Sequence, residues 1–144
     1  MKNKLLYLTT VLAVLIAGCS TDGIKPAPAL SGSFSGQFTL YHRHVTTDPF
    51  DTLKANITLT LITPANTFSV GGDTSTVIAG SKGTYELATN GNFILFIDNT
   101  IPKTGTSSKV HLNGEYIYSY DGSTLQMLAS SVDTLQVQYN LKKN

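Results

Sequence analysis

This chain of 144 residues has little of several things that would point directly to a function. It has a single cysteine, Cys19, so no disulfide can form within the chain. Only 13% of its residues are charged and the formal net charge is +1, so no strong field exists to attract nucleic acid. It has no tryptophan and no run of about 20 apolar residues, the length with which a helix spans a bilayer. Disulfide scaffolds, nucleic-acid binding and a permanent membrane helix are therefore disfavoured.

The first nineteen residues carry the most specific pattern in the chain. A basic start, MKNK, is followed by a largely apolar run at 5–17 that ends on the small pair Ala17-Gly18. This order is typical of a secretory signal peptide, which we assign to residues 1–18. The stretch Ile16-Ala17-Gly18-Cys19 resembles the lipobox of bacterial lipoproteins. The resemblance implies that Cys19 is acylated, for example with palmitate, and anchors the mature chain to a membrane; a free thiol at an ordinary cleavage site is the alternative.

The residues after Cys19 indicate where the protein is held. Ser20 stands where an aspartate would favour inner-membrane retention, so the lipoprotein resemblance implies an outer-membrane anchor in the cell envelope, facing the periplasm or the surface. Residues 20–31, STDGIKPAPALS, are rich in Pro, Ala, Ser and Thr and show no hydrophobic periodicity. We therefore expect a flexible stalk between Cys19 and a domain at 32–144. The alternative is that this segment packs along the domain.

The mature chain is expected to form one near-neutral, all-β domain. It has 126 residues with eight basic and nine acidic groups, which suits a single domain. Apolar and polar residues alternate with period two, as in half-buried strands, and no apolar stripe at helical spacing is long enough to predict a helix. Nine candidate strands follow from this pattern: 34–45, 54–63, 67–70, 76–79, 83–88, 92–98, 109–120, 123–130 and 135–141.

Turn signals indicate that neighbouring strands run antiparallel. Asn90-Gly91 and Asp121-Gly122 suit the positive φ angles of two-residue hairpin turns. Many short strands with one apolar face each predict an up-and-down barrel of about eight strands, with a β-sandwich as the alternative. Five stretches of the chain resemble the lipocalin-like lipoproteins common in Bacteroidota: GSFSGQF, FSVGGDTSTVIAGSKGTYEL, NFILFIDN, LNGEYIYSYDGSTLQML and TLQVQYNLKK. The resemblance implies a barrel-like meander, although Gly32-Ser33-Phe34 stands where lipocalins carry Gly-x-Trp.

Two histidines form a candidate metal site. His42 and His44 lie two residues apart on a predicted strand, so their side chains point to the same side. Two imidazoles at the rim of a barrel can ligate a metal ion, with His111 or Asp48 as a third ligand. The alternative is a solvated strand end with ordinary polar residues.

Three tyrosines form a candidate ligand site. Tyr116, Tyr118 and Tyr120 share one face of a predicted strand. Rings with polar tips can line a pocket and hydrogen-bond a ligand, but they are equally suited to packing in a core. The sequence does not show which face is inside, because Ile117 lies on the other.

The acidic residues do not predict an enzyme. Glu86, Asp98 and Glu115 are the types that acid and base catalysis on sugars uses. Glu86 alternates with Tyr85 and Leu87, and Glu115 with Gly114 and Tyr116, so we expect both to face water. For the acidic set as a whole we expect solvation at the surface. Since no nucleophile has an identifiable activating base in the sequence, we expect neither catalysis nor a cofactor.

Two functions remain open. In the first, the protein is a lipid-anchored, non-enzymatic lipocalin-like module whose barrel binds a small apolar ligand. In the second, it is an envelope interaction protein whose barrel is filled and whose surface docks a protein or a glycan. The size of the interior side chains distinguishes them. Those expected inside are Phe34, Phe38, Leu59, Leu61, Phe93, Leu95, Val137 and Tyr139.

Overall fold

The computed structural model of the protein describes residues 28–89, 92–105, 107–131 and 135–144. The predicted signal peptide, Cys19 and residues 20–27 of the predicted stalk lie outside the described residues, and so does the predicted turn at Asn90-Gly91. Among the described residues no helix is long and apolar enough to cross a bilayer.

In the described part of the chain, eight antiparallel strands form a closed barrel in which each strand pairs with its neighbours in the chain. The strands are β1 (Gly32–His42), β2 (Asp51–Ile62), β3 (Thr67–Gly72), β4 (Lys82–Leu87), β5 (Phe93–Asp98), β6 (Gly114–Tyr120), β7 (Thr124–Ser130) and β8 (Leu135–Lys143). The order around the barrel follows the chain from β1 to β8, and β8 closes back on β1. The prediction of an up-and-down, lipocalin-like barrel is confirmed, and the sandwich alternative is wrong.

The closure between β1 and β8 depends on a close approach of their backbones. The two strands pair without interruption from Phe34 opposite Lys143 to His42 opposite Leu135. Gly36 lies in this seam, where a Cβ atom would collide with the backbone oxygen of Asn140. Glycine is required here because only a residue without a side chain lets the strands meet. The closed ladder leaves no free sheet edge between these strands.

The core follows from the alternation that the sequence shows. In β2 the inward residues from Ala55 to Leu61 are buried, while their polar neighbours face outward. Leu53 has the same parity, but 48% of its surface is exposed because it lies at the rim. The alternation of apolar and polar residues thus predicts which residues share a face of the strand. Whether such a residue is buried depends also on how close it lies to the rim of the barrel.

Two connecting segments cover one end of the barrel, which we call the upper end because β1 rises towards it. We define the upper cap as residues 76–81 and 107–113. The two segments meet at a single parallel bridge between Ile78 and Val110, and Ala79 N–H donates to the carbonyl of Val110 at 2.9 Å. Ile78 and Leu112 are fully buried and extend the core beyond the strands.

The upper cap corrects two predicted strands. Residues 76–79 do not form a strand, because successive residues Ile78 and Ala79 are both buried and the segment makes only one bridge. The predicted strand 109–120 begins only at Gly114, whose φ of 93° is one that glycine adopts readily. Residues before Gly114 therefore belong to the cap.

The end of the predicted stalk lies against the opposite, lower end of the barrel. Leu30 is buried in the core, and its carbonyl accepts a hydrogen bond from the Tyr85 hydroxyl at 3.5 Å. The hydroxyl of Ser31 donates to the carbonyl of Leu61 at 3.4 Å, and Pro28 lies beside Gly122. The packed body of the protein thus extends upstream of β1.

Candidate functional site

A chain of aromatic rings crosses the interior of the barrel. Its members come from β3, β5, β6, β8 and β1, and each ring meets the next edge-on: Phe68, Phe96, Tyr116, Tyr139 and Phe38. The centroid distances along the chain are 4.9, 5.8, 5.7 and 5.1 Å. Edge-to-face pairs at these distances are favourable beyond the area that they bury. A ligand entering the lumen would have to separate these rings.

Tyr139 brings a hydroxyl group into this interior. Tyr139 is fully buried, and its hydroxyl oxygen makes no hydrogen bond to the described residues. Burial raises the pKa of Tyr139 well above its ordinary value, and the neighbouring Tyr116 raises this pKa further. Burial also raises the pKa of Tyr116. Both phenols are therefore neutral at physiological pH.

We expect Tyr139→Phe to raise the free energy of unfolding by about 1 kcal/mol, because it removes a buried hydroxyl that makes no hydrogen bond to the described residues and keeps the ring contacts. The matched control is Tyr85→Phe, which removes a buried hydroxyl bonded to Thr63 Oγ1 at 2.9 Å. That variant should lose about 1 kcal/mol. Urea denaturation of both variants measures the difference. Equal losses would show that the Tyr139 hydroxyl has a bonding partner in solution.

The predicted tyrosine ladder faces the interior, but its members have different surroundings. Tyr116 is buried within the ring chain. Tyr118 is half-buried near Leu30 at the lower end. Tyr120 packs edge-on against Phe34 and donates its hydroxyl proton to the carbonyl of Gly122 at 2.8 Å. The contacts of Tyr116 and Tyr120 are those of core packing, and the ligand-binding role of the ladder stays a prediction.

The structure brings His42 and His44 together but gives them no third ligand among the described residues. Their ring centroids are 4.9 Å apart at the upper end of β1. His111, one candidate for a third ligand, is bonded to Asp98 and Ser107 instead. Within the described ranges no group of three His, Cys, Asp or Glu residues is placed to hold a metal ion. Metal binding by the two histidines stays a prediction.

The outer surface of β5 is apolar along its whole length. Its burial alternates, with Phe93, Leu95 and Ile97 exposed and the intervening residues buried. The expectation that Phe93 and Leu95 fill the interior is therefore wrong, since FILFID is apolar at both parities and the barrel turns Ile94 and Phe96 inward. Ile117 on β6 is opposite Phe93, and Leu128 on β7 is opposite Ile117. We define the outer apolar face as these five residues: Phe93, Leu95, Ile97, Ile117 and Leu128.

Two carboxylates flank this face. Leu95 is paired with Glu86 on one side and with Glu115 on the other, and both glutamates are exposed. Residues that are paired across strands project from the same face of the sheet. A shallow groove of about 200 Å³ lies between Phe93, Ile117 and Glu115. The groove can accept one partner side chain with an apolar stem beside a negative charge.

Asp98 joins β5 to the upper cap. Its buried carboxylate accepts hydrogen bonds from the backbone N–H of Lys82 at 3.2 Å and from the N–H and hydroxyl of Thr100 at 2.7 and 2.6 Å. Burial alone would raise its pKa, but the hydrogen bonds outweigh burial and lower the pKa to about 2. The largest of these contributions come from Ser81 and Thr100, and His111 adds another. The expectation that the acidic set is a matter of surface solvation is thus wrong for Asp98, although Glu86 and Glu115 do face water.

A linear chain of hydrogen bonds runs outward from Asp98. The Nδ1 of His111 lies 2.7 Å from Asp98 Oδ2, and its Nε2 lies 3.1 Å from Ser107 Oγ. Ser107 Oγ also accepts from the N–H of Lys109 at 3.1 Å. In the sequence, Asp98 and His111 belong to separate candidate groups, the acidic set and the metal ligands, and no motif connects either of them with Ser107. The only signal is the spacing of four residues between Ser107 and His111, which is common by chance.

Comparisons with known protein families, with curated proteins and with solved structures find no match for this chain. Two features of the described residues offer contacts to another molecule: the outer apolar face and the chain from Asp98 to Ser107.

Proposed function

We propose that the protein is a lipid-anchored interaction module of the cell envelope, whose barrel docks a protein partner through its outer apolar face. The main support for this proposal is that every outward residue of β5 is apolar and exposed. Contiguous exposed apolar patches that are rimmed by polar residues mark sites of interaction with proteins or membranes. The anchor would be the acylated Cys19, and no catalytic step or cofactor is part of this proposal.

The filled interior favours the surface over the lumen as the working part. The aromatic chain from Phe68 to Phe38 occupies the space in which a small apolar ligand would lie. Leu30 at the lower end and Ile78 and Leu112 in the upper cap continue the core beyond it. For this reason we prefer docking to the binding of a small apolar ligand.

Charge indicates the chemistry of the partner. Glu86 and Glu115 flank Leu95, so they would repel an anionic lipid surface and attract Lys or Arg. The surface that fits is therefore an apolar ridge bordered by basic side chains. Tyrosine and arginine anchors are the residue types that most often supply such contacts.

The test combines site-specific cross-linking with affinity measurements. The full chain carries a photo-cross-linking phenylalanine analogue at Ile117, and the matched control carries it at Asn56, which is exposed on the outer side of β2. We expect a protein adduct from position 117 and none from position 56. With the purified partner, Ile117→Asp should weaken binding at least about 30-fold, since a carboxylate would be buried in an apolar contact. Glu115→Lys should weaken binding and reduce its salt dependence.

Three results would overturn the docking proposal. The first is an adduct with a second copy of this chain, accompanied by a dimer that Ile117→Asp abolishes. The second is adsorption of the lipid-free Cys19→Ser chain to vesicles through this face. The third is equal cross-linking from both positions. The anchor is tested separately: palmitate should label the wild-type chain and not Cys19→Ser, and an unlabelled wild-type chain would refute the anchor.

A further inference from the structure

Two side chains of the upper cap, Ser107 and His111, together with Asp98 at the end of β5, have the order and spacing of a nucleophile with its base and orienting acid. Asp98 Oδ2, His111 Nδ1, His111 Nε2 and Ser107 Oγ follow one another at 2.7 Å across the first contact and 3.1 Å across the second. Such a constellation is recognised by geometry and roles, and it occurs on unrelated folds. The order in this chain, Asp98, Ser107 and then His111, is therefore no obstacle.

The buried carboxylate fixes the state of the imidazole. The side chain of Asp98 is fully buried and that of His111 is 13% exposed. An ionised carboxylate next to Nδ1 holds the proton on that nitrogen, which leaves the lone pair of Nε2 directed at Ser107. Exposure rises along the chain, from a buried acid to a serine that is open to solvent. This increase in exposure suits a base that exchanges protons with an external substrate, because the acid that orients the base stays dry while the nucleophile remains accessible.

The hydroxyl of Ser107 is held in place by its own loop. It accepts from the N–H of Lys109 at 3.1 Å, and the carbonyl of Lys109, at 3.0 Å, competes with His111 for its proton. The imidazole nitrogen is the more basic of these two acceptors. The surrounding cap is anchored, because Leu112 N–H donates to the buried Ser81 hydroxyl at 3.0 Å and Val110 bridges to Ile78. Backbone contacts therefore fix the chain on both sides of His111: the loop at Ser107 before it and the anchored residue Leu112 after it.

We propose that Ser107 is an activated nucleophile that accepts acyl groups from activated carboxylic esters, with His111 as general base and Asp98 as the orienting residue. Ser107 Oγ forms a bond to the acyl carbon as its proton passes to His111 Nε2. The ester C–O bond breaks, and the leaving alcohol takes that proton. Water then attacks the acyl-serine by the same route, releasing the carboxylic acid and restoring Ser107. This activity is independent of the docking surface.

The test is covalent labelling of the full chain in detergent micelles with a fluorophosphonate probe. Attack by Ser107 forms an O–P bond and releases fluoride together with the serine proton. We expect one adduct per chain by intact mass, located at Ser107 by peptide mapping. Ser107→Ala should lose the adduct, and the matched control Ser108→Ala should keep it at the wild-type rate. His111→Gln should slow labelling about 100-fold or more, the usual contribution of a general base.

Two further measurements separate catalysis from a structural role. Thermal unfolding of Ser107→Ala should match that of the wild type, since only hydrogen bonds of an exposed loop are lost. The circular dichroism spectrum of His111→Gln should match that of the wild type, so that slower labelling of this variant reports the missing base and not a changed fold. An unlabelled wild-type chain under conditions that label chymotrypsin would overturn the proposal. Labelling at other serines, or an equal rate in folded His111→Gln, would also overturn it.

Discussion

Replacing Phe96 with alanine is expected to lower the free energy of unfolding by about 3–5 kcal/mol, the largest effect that we expect from one side chain. The exposed fraction of Phe96 is 1%, and its ring meets those of Phe68, Tyr116 and Tyr85 at centroid distances of 4.9, 5.8 and 6.3 Å. Removing it leaves a cavity bounded by rings on strands of a closed barrel, which can move inward only if their ladders are disturbed. The loss therefore includes both the transfer of the ring to water and the unfilled volume.

The control for this prediction lies on the same strand. Phe93→Ala removes the same number of atoms from the outer surface of β5, where 41% of the side chain is already exposed. We expect that variant to lose about 1 kcal/mol or less. Urea denaturation, with equal m-values required for the comparison, measures both. Equal losses in the two variants would contradict the assignment of β5's inner and outer faces.

Replacing Asp98 with asparagine is expected to lower the free energy of unfolding at neutral pH by about 3 kcal/mol. The carboxylate accepts hydrogen bonds from three residues, Lys82, Thr100 and His111. The NH2 group of asparagine is itself a donor and would face one of these N–H or O–H groups, so that hydrogen bond would be lost. Loss of one partner from a buried, charged hydrogen-bonding group is among the costlier single substitutions. The substitution would loosen the connection between β5 and the upper cap.

The same carboxylate predicts a specific loss of stability in acid. Its pKa is lowered from an ordinary 3.8 to about 2, so between these values the unfolded chain binds a proton more readily than the folded one. The stability that Asp98 contributes is therefore complete above about pH 4 and is lost as the pH falls through about 2. The loss amounts to about 2 kcal/mol.

Denaturation curves between pH 5 and 1.5 test this dependence, and Asp98→Asn should remove most of it. The matched control is Asp121→Asn. Hydrogen bonds from the backbone of Thr124 and Ser123 lower the pKa of the Asp121 carboxyl as well, but that group is exposed to water. This control should keep most of the acid loss. An unchanged pH dependence in Asp98→Asn would contradict the role assigned to its carboxylate.

The alternation of apolar and polar residues was sufficient to predict the barrel. Of the nine strands that it predicted, eight overlap strands of the barrel, because each of these needs one covered face, and turn residues such as Asp121-Gly122 indicated the antiparallel order. It could not orient β5 or β6, since both carry apolar residues at each parity. Phe93 was expected inside and lies outside, whereas Tyr116 lies inside and Ile117 is 55% exposed. The closure of the whole sheet determines which face of β5 and β6 points inward, and no pattern within either strand predicts it.

The upper cap was the part of the fold that local sequence described worst. Residues 76–79 have strand-like composition, but Ile78 alone makes a parallel bridge, to Val110, a contact across more than thirty residues of chain. The proximity of Asp98, His111 and Ser107, the three residues of the proposed catalytic group, depends on the fold of this cap. Asp98 ends β5, while Ser107 and His111 lie in the segment that follows it, and their distances are set by how that segment folds back over the barrel. Spacing along the chain therefore predicts the residue types but not their proximity.

The docking of Leu30 at the lower end gives the molecule a polarity. Any tether joined upstream of Pro28 leaves from that end, beside Gly122. The upper cap, with Ser107, lies at the opposite end of the barrel. The outer apolar face, including β5, lies on the side of the barrel between these two ends. An anchored molecule would thus present its serine to distant surfaces and its apolar flank to neighbours in the same layer.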